Sequence, residues 1–215
     1  MSDPKFTDST LLFGDSITES CASESLHQRM SKRYSRVLDI INRGFSGYNS
    51  RWAIPALKEI LAKPESPSQG IRLITVWFGT NDAMLPESHQ SVPIGEYKQN
   101  MRSIVELVRD RIPNTKIVIL TPGPTGNTVN PLRHPDRPLI YATPCEEVAI
   151  EVGVPVLNVY DVMVKAAGGA TPDKLDPYLY DGVHFSSAGY QRVGRRLPNW
   201  DTIGTHYEEQ MVAQG

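Results

Sequence analysis

Ser16, Asp181 and His184 are the residues of this chain whose types fit nucleophilic acyl transfer. That chemistry needs a hydroxyl that attacks a carbonyl, a base that takes the hydroxyl proton and an acid that holds the base. Ser16 supplies the hydroxyl, and His184 is the candidate base because imidazole is the commonest general base of enzymes. Asp181 precedes His184 by three residues, so a tight turn can bring its carboxylate to the other ring nitrogen. The three residues predict a catalytic triad.

Three hydrogen-bond donors are predicted for the oxyanion that forms when Ser16 attacks. They are the backbone N–H groups of Ser16 and Gly47 and the side-chain amide of Asn81. Each well-placed donor of this kind contributes about 10²–10³ in rate. Taken alone, each residue also fits a structural role, because asparagine is common in turns and glycine meets unusual backbone requirements. We favour the catalytic interpretation because these residues all follow predicted strands.

Short runs rich in apolar and β-branched residues predict the strands that position these residues. The first run, 10–13, is typical of a buried parallel strand and ends at Gly14, which permits a sharp change of direction before Ser16. Further strands are predicted at 38–42, 72–78, 116–121 and 154–157. Segments with helical spacing are predicted at 23–37, 52–61, 97–108, 142–152, 161–167 and 187–197.

Strands that alternate with helices predict an α/β fold, here a three-layer α/β/α sandwich that forms a single domain over residues 1–215. The five parallel strands are expected in the flavodoxin-like order 2-1-3-4-5. In that order strands 2, 1 and 3 are neighbours, so their carboxyl ends bring Gly47, Ser16 and Asn81 to one edge of the sheet. Residues 122–138 contain five prolines and predict a long irregular loop that serves function.

The composition indicates a soluble globular protein rather than one that binds nucleic acid or spans a membrane. Hydrophobic residues make up 40% of the chain and charged residues 21%, and the formal net charge is −2. The sequence has no long basic run, no apolar stretch near the ~18 residues of a membrane span and no signal-peptide pattern at its start. Cys21 and Cys145 are too few for a set of disulfides. We therefore expect a cytoplasmic protein in which Cys21, although close to Ser16, packs as a structural residue.

Four motifs of the chain resemble the SGNH (GDSL-type) hydrolase superfamily in order and in spacing. They are residues 14–18, Gly47, residues 79–82 and residues 181–184. The four signature residues of the superfamily fall on Ser16, Gly47, Asn81 and His184. The chain is similar in more detail to the isoamyl acetate-hydrolysing esterase branch at residues 42–52, 77–83, 92–100 and 198–200. The resemblance covers nearly the whole chain.

This resemblance implies the SGNH-hydrolase fold and a serine esterase that acts on small acetate-type esters without a metal or a cofactor. The chain departs from the family pattern at four places, one of which is the loop 122–138, which does not match the family cleanly. Ile17 replaces the leucine of the four-letter motif, as is common in this branch, and Met84 stands where relatives often carry a smaller residue. The segment between His184 and Pro198 is shorter than in relatives, which leaves a monomer and a homodimer both open.

Residues beside the catalytic loops are predicted to line the substrate pocket, because they are adjacent to those loops in sequence. They are Tyr48, Trp52, Ala83, Met84 and Val183.

Three alternatives to an acetate-type esterase stay open. The first is an SGNH hydrolase that acts on another acyl substrate, such as a sugar acetate, an aryl ester or a thioester. The second is a metal-dependent phosphoesterase, disfavoured because two-metal sites need a denser ligand set. Its ligands would be Asp15, Asp82, Asp181 and His184. The third is an α/β binding module, disfavoured because the turn at Gly14 has too few glycines to cradle a phosphate.

Overall fold

The computed structural model describes residues 8–20, 22–35, 37–62 and 70–196, and it contains one five-stranded parallel sheet. The strands are β1 (Ser9–Gly14), β2 (Asp39–Gly44), β3 (Ile71–Trp77), β4 (Lys116–Leu120) and β5 (Val156–Leu157). Their order across the sheet is β2-β1-β3-β4-β5, and all neighbours are parallel. The predicted sheet and its strand order are confirmed.

Helices connect the strands and cover both faces of the sheet. The described α-helices are α1 (Ser16–Glu19), α2 (Leu26–Arg33), α3 (Ser50–Ala62), α4 (Ile94–Arg111), α5 (Arg137–Glu151), α6 (Val159–Ala167), α7 (Pro172–Leu175) and α8 (Ser187–Gly194). A short 3₁₀ helix, Asp176–Tyr178, follows α7. None of the helices in the described ranges combines the length and the apolar character that crossing a membrane requires.

Two hydrophobic clusters, one on each face of the sheet, form the core. Successive side chains of a strand point to opposite faces. Accordingly Leu11 and Phe13 of β1 belong to one cluster, with residues of α3, α4 and α5, whereas Leu12 belongs to the other, with residues of α2, α6 and α8. A strand buried on both faces is largely apolar, as β1, β3 and β4 are. The edge strand β2 is partly exposed and contains Asp39, Asn42 and Arg43. The alternation produces the predicted three layers.

Several predicted boundaries differ from the structure. Helix α5 begins at Arg137 rather than at residue 142, because Pro138 fits the first turn of a helix, where the missing N–H has no partner to lose. Strand β5 has two residues instead of four, and the short helix α1 was not predicted. The final helix ends at Gly194. Cys21 and the segment 198–200 lie outside the described residues.

Candidate active site

Ser16 is the first residue of α1 and follows almost directly from the end of β1. Asp15, between the two elements, caps the helix by accepting a hydrogen bond of 2.9 Å from the backbone N–H of Ile17. Aspartate is a favoured N-cap residue because its carboxylate satisfies an N–H group that has no partner within the helix. The cap fixes the turn after β1 and leaves Ser16 half-buried at the carboxyl edge of the sheet.

The turn 181–184 brings a histidine and an aspartate to this serine. His184 Nε2 lies 2.9 Å from Ser16 Oγ, and His184 Nδ1 lies 2.6 Å from Asp181 Oδ2. The other carboxylate oxygen, Oδ1, accepts hydrogen bonds from the backbone N–H groups of Val183 at 2.9 Å and His184 at 2.8 Å. These two backbone bonds fix the carboxylate relative to the imidazole ring. The three side chains therefore form one continuous chain of hydrogen bonds.

The hydrogen bonds of the turn keep the Asp181 carboxyl ionised. Partial burial raises its pKa, but the hydrogen bonds from the backbone and ring of His184 and from the Val183 N–H outweigh burial, so the pKa lies below its ordinary value. An ionised acceptor favours a proton on Nδ1 of His184, which leaves Nε2 free to accept the hydrogen bond of the Ser16 hydroxyl. In this tautomer the histidine is able to take the serine proton.

Two backbone hydrogen bonds join the end of β1 to the segment after β2 and to the last residue of β3. The N–H of Phe45 donates to the Gly14 carbonyl at 2.9 Å, and the N–H of Asp15 donates to the Trp77 carbonyl at 3.4 Å. Because β1 lies between β2 and β3 in the sheet, the loops that follow these strands flank the turn that carries Ser16.

Gly47 and Asn81 belong to these two flanking loops, which contact each other. Gly47 has a φ of +78°, a conformation that the absence of a side chain makes accessible. Asn81 is 2% exposed, and its Nδ2 donates to the carbonyl of Tyr48 at 2.8 Å. An amide nitrogen carries two hydrogens, so one N–H of Asn81 is left for a further acceptor. Gln90 Nε2 donates to the Gly47 carbonyl at 2.7 Å and supports the same loop from another side.

Arg133 contacts the Asn81 loop and was missed by the sequence analysis. It lies in the proline-rich loop (residues 122–136), which precedes α5. Its Nη1 donates to the Thr80 carbonyl at 2.9 Å, and its Nη2 donates to Asn81 Oδ1 at 2.7 Å. Burial lowers the pKa of the guanidinium, and the carboxylates of Asp15 and Asp181 partly offset this. The length and proline content of the loop indicated a functional segment, but no pattern singled out this arginine.

The proline-rich loop also contacts the turn that carries the histidine. The N–H of Gly126 donates to the carbonyl of Gly182 at 2.8 Å. The neighbouring Asn127 donates from Nδ2 to Asp173 Oδ1 at 3.1 Å. One loop therefore supports both the 181–184 turn and the loop of Asn81.

Two aspartates beneath the site are fully buried and engaged with the backbone. Burial raises the pKa of the Asp15 carboxyl to about 6 and that of the Asp82 carboxyl to about 7. Both oxygens of Asp82 accept from the Ser50 N–H, at 3.0 and 3.1 Å, and Oδ1 also accepts from the Ser50 hydroxyl at 2.5 Å.

Within the described residues, no three His, Cys, Asp or Glu side chains are grouped so that they could hold a metal ion. The ligand set considered for a phosphoesterase is not assembled there.

The sequence matches a family model over most of its length. The model of the GDSL-like lipase/acylhydrolase family matches residues 12–192. The chain belongs to this family. The predicted resemblance is confirmed, and the protein is a carboxylic ester hydrolase.

Relatives of this GDSL hydrolase carry esterase names. A GDSL esterase/lipase of Arabidopsis thaliana is 34% identical over 208 residues, which cover 86% of this chain and 84% of the relative. The isoamyl acetate-hydrolyzing esterase 1 homolog of Homo sapiens is 32% identical over 209 residues, which cover 90% of this chain and 80% of the relative. The isoamyl acetate-hydrolyzing esterase of Saccharomyces cerevisiae is also 32% identical, over 84% of this chain and 80% of its own length.

Solved structures share the fold of this GDSL hydrolase. A lipase/acylhydrolase from Enterococcus faecalis superposes with a TM-score of 0.68 at 22% identity, covering 88% of this chain and 92% of that structure. A catalytic mutant of an acetylxylan esterase from Geobacillus stearothermophilus superposes with a TM-score of 0.66 at 19% identity, covering 89% and 93%.

The five residues predicted to line the substrate pocket of this GDSL hydrolase differ in exposure. Tyr48 and Trp52 are half-buried and pack edge to face, with ring centroids 5.9 Å apart. Ala83, Met84 and Val183 are 4%, 2% and 6% exposed, so they present little surface to a ligand.

Tyr180 is an aromatic residue that the sequence analysis did not consider. Its ring stacks on that of His184, with centroids 5.7 Å apart and 19° between the planes, and it remains 63% exposed. The exposed ring therefore lies against the imidazole that contacts Ser16 Oγ.

Proposed function

We propose that this protein hydrolyses short-chain acyl esters with Ser16 as nucleophile, His184 as general base and acid, and Asp181 as the acceptor that holds the imidazole. The observation that carries the proposal is the continuous hydrogen-bonded chain from Ser16 Oγ through His184 to Asp181. Separate segments of the chain meet in this arrangement, and it is the arrangement that activates a serine hydroxyl.

In the first half of the reaction Ser16 Oγ attacks the carbonyl carbon of the ester while His184 Nε2 takes the hydroxyl proton. The negative charge that develops on the carbonyl oxygen is stabilised by the N–H groups of Ser16 and Gly47 and by the free Nδ2–H of Asn81. The tetrahedral intermediate then breaks its bond to the alcohol oxygen. His184 donates its proton to that oxygen, and the alcohol leaves.

In the second half a water molecule attacks the acyl group on Ser16. His184 Nε2 takes a proton from the water, and a second tetrahedral intermediate forms in the same set of donors. Its collapse breaks the bond to Ser16 Oγ, which recovers its proton from His184, and the carboxylic acid is released. Asp181 stays ionised throughout and stabilises the imidazolium at each stage.

The names of the relatives support small acetate-type esters as substrates, since relatives from human and yeast are called isoamyl acetate-hydrolyzing esterases. The structural likeness to an acetylxylan esterase keeps sugar acetates as the second candidate class. Tyr180, exposed beside His184, offers an aromatic surface for either an aliphatic alcohol or a sugar ring.

The test compares Ser16→Ala with the natural protein on p-nitrophenyl esters from acetate to octanoate. Ser16→Ala is expected to remove hydrolysis while the circular dichroism spectrum stays unchanged, and the natural protein is expected to prefer the shortest acyl chains. Ser187→Ala is a matched control, because Ser187 is also the first residue of a helix but is exposed. A folded Ser16→Ala protein with full activity would contradict the proposal.

A further inference from the structure

Arg133 holds the amide of Asn81 in one of its two orientations. The Asn81 oxygen accepts from Arg133 Nη2 at 2.7 Å, while the Asn81 nitrogen donates to the Tyr48 carbonyl at 2.8 Å. If the amide were turned over, its NH₂ group would face the guanidinium donors and its oxygen would face the Tyr48 carbonyl. Both contacts would then be repulsive. Arg133 and Tyr48 therefore fix the orientation of the Asn81 amide, and with it the direction of the remaining N–H.

The hydrogen bond from Arg133 also strengthens the donor at the other end of the amide. A bond from an ionised donor is stronger than one between neutral groups, and it draws electron density toward the Asn81 oxygen. Hydrogen bonds in a chain polarise one another, so the free N–H of Asn81 becomes a better donor to a developing negative charge.

The Arg133 guanidinium spends its short hydrogen bonds on the loop that carries Asn81. Arg133 is partly buried, and within the described residues it forms hydrogen bonds to a carbonyl and an amide oxygen but no salt bridge. Taking a cation out of water without a direct carboxylate partner is unfavourable. The hydrogen bonds to the Thr80 carbonyl and to Asn81 Oδ1 offset part of this cost.

We propose that Arg133 is a positioning residue for ester hydrolysis: it orients and polarises the Asn81 amide so that the free N–H stabilises the oxyanion. This inference rests on the proposed function, which assigns Asn81 to that oxyanion. Because the charge on the carbonyl oxygen develops only in the transition state, loss of Arg133 is expected to lower kcat and kcat/KM by similar factors and to leave KM nearly unchanged.

The experiment measures kcat and KM on p-nitrophenyl acetate for Arg133→Met and Arg133→Lys, each made in the natural protein and in Asn81→Ala. Asn81→Ala alone is expected to lower kcat by about 10²–10³. Arg133→Met is expected to lower kcat about tenfold to thirtyfold, in the range of coupling between contacting residues. Arg133→Lys keeps the charge but loses the planar fork, so it is expected to recover less than half of that loss on a logarithmic scale.

The double variant decides whether Arg133 acts through Asn81. In the Asn81→Ala background, Arg133→Met is expected to change kcat less than threefold, because the amide that it positions is gone. An equal loss in both backgrounds, or full activity of Arg133→Lys, would overturn the inference. If Asn81→Ala keeps full activity, the proposed oxyanion site fails instead.

Arg109→Met is the matched control for the removal of an arginine. Arg109 Nη2 also donates to a backbone carbonyl, that of Val152, at 2.7 Å, but it lies near the end of α4 that leads to the amino end of β4. The kcat of Arg109→Met is expected to be unchanged.

Circular dichroism and thermal unfolding are recorded for every variant. Arg133→Gln, which keeps an amide N–H donor, replaces Arg133→Met should the latter not fold. The same kinetic pattern is expected of Arg133→Gln, and an additive loss with Asn81→Ala would count against the inference.

Discussion

Replacement of Asp181 by asparagine is expected to move the ring proton of His184 from Nδ1 to Nε2 and to preserve most of the hydrogen bonds of the turn. Asp181 Oδ1 accepts two backbone N–H bonds, from Val183 and His184, and the amide oxygen of an asparagine can accept the same two. The amide nitrogen then takes the place of Oδ2, 2.6 Å from His184 Nδ1. Because this nitrogen donates, Nδ1 has to accept, and the ring proton moves to Nε2. The atom that faces Ser16 Oγ can then no longer take a proton.

The expected loss in kcat is about 10⁴-fold, the size found when a triad aspartate becomes asparagine without a change in geometry. Stability is expected to change little, because the two backbone hydrogen bonds of the turn are retained. The loss thus arises from the tautomer and not from unfolding. In contrast, Asp181→Ala removes the acceptor of both backbone N–H groups as well, so it is expected to lower the free energy of unfolding by about 1–3 kcal/mol in addition.

The assay follows p-nitrophenyl acetate hydrolysis together with chemical unfolding of Asp181→Asn. Asp110→Asn is the control, since Asp110 is an exposed aspartate near the end of α4 that contacts Arg111. A loss of less than tenfold in a folded Asp181→Asn protein would refute the tautomer argument. It would show that His184 accepts the serine proton without a carboxylate at Nδ1.

Three further predictions concern stability. Burial raises the pKa of Asp82 to about 7, so the folded protein keeps a proton that the unfolded chain releases near pH 4. The free energy of unfolding therefore falls as pH rises from about 4 to about 7. In Asp82→Asn this fall, measured by urea unfolding, is expected to be smaller than in the natural protein by roughly 4 kcal/mol. Gly182 has a φ of +81° and lies against the Asn127 carbonyl, so Gly182→Ala is expected to lower both the unfolding free energy, by more than about 2 kcal/mol, and kcat. Arg102→Ala removes a surface ion pair with Glu151 and is expected to leave the urea midpoint unchanged; a clear decrease would count against treating that pair as screened by solvent.

The sequence predicts best those parts of the fold in which burial restricts the residues to apolar types. Strand β1 is buried on both faces, and its apolar run predicts the strand to within one residue at each end. The run stops where the glycine–aspartate–serine turn begins, so the placement of Ser16 follows from the same signal. The strand order then brings the loops after β2 and β3 to both sides of this serine.

The parts that sequence did not predict depend on contacts between segments far apart in the chain. The prolines of residues 122–138 predict a loop, so the predicted start of α5 is five residues late, although Pro138 suits a first helical turn. Strand β5 pairs with β4 at only two positions, which an apolar run cannot indicate. Arg133 and Tyr180 look like ordinary loop residues until the fold places them against Asn81 and His184.

The proline-rich loop makes several of these long-range contacts, on both sides of the site. Burial raises the pKa of the Asp15 carboxyl, the Arg133 guanidinium partly offsets this, and Asp15 caps the helix that begins at Ser16. The same guanidinium holds Asn81, while Gly126 in the same loop holds the turn of Asp181. Arg133 therefore contacts the Asn81 side of the site, and Gly126 contacts the Asp181 side. The loop that is least regular in sequence is thus the segment that connects the two sides of the site.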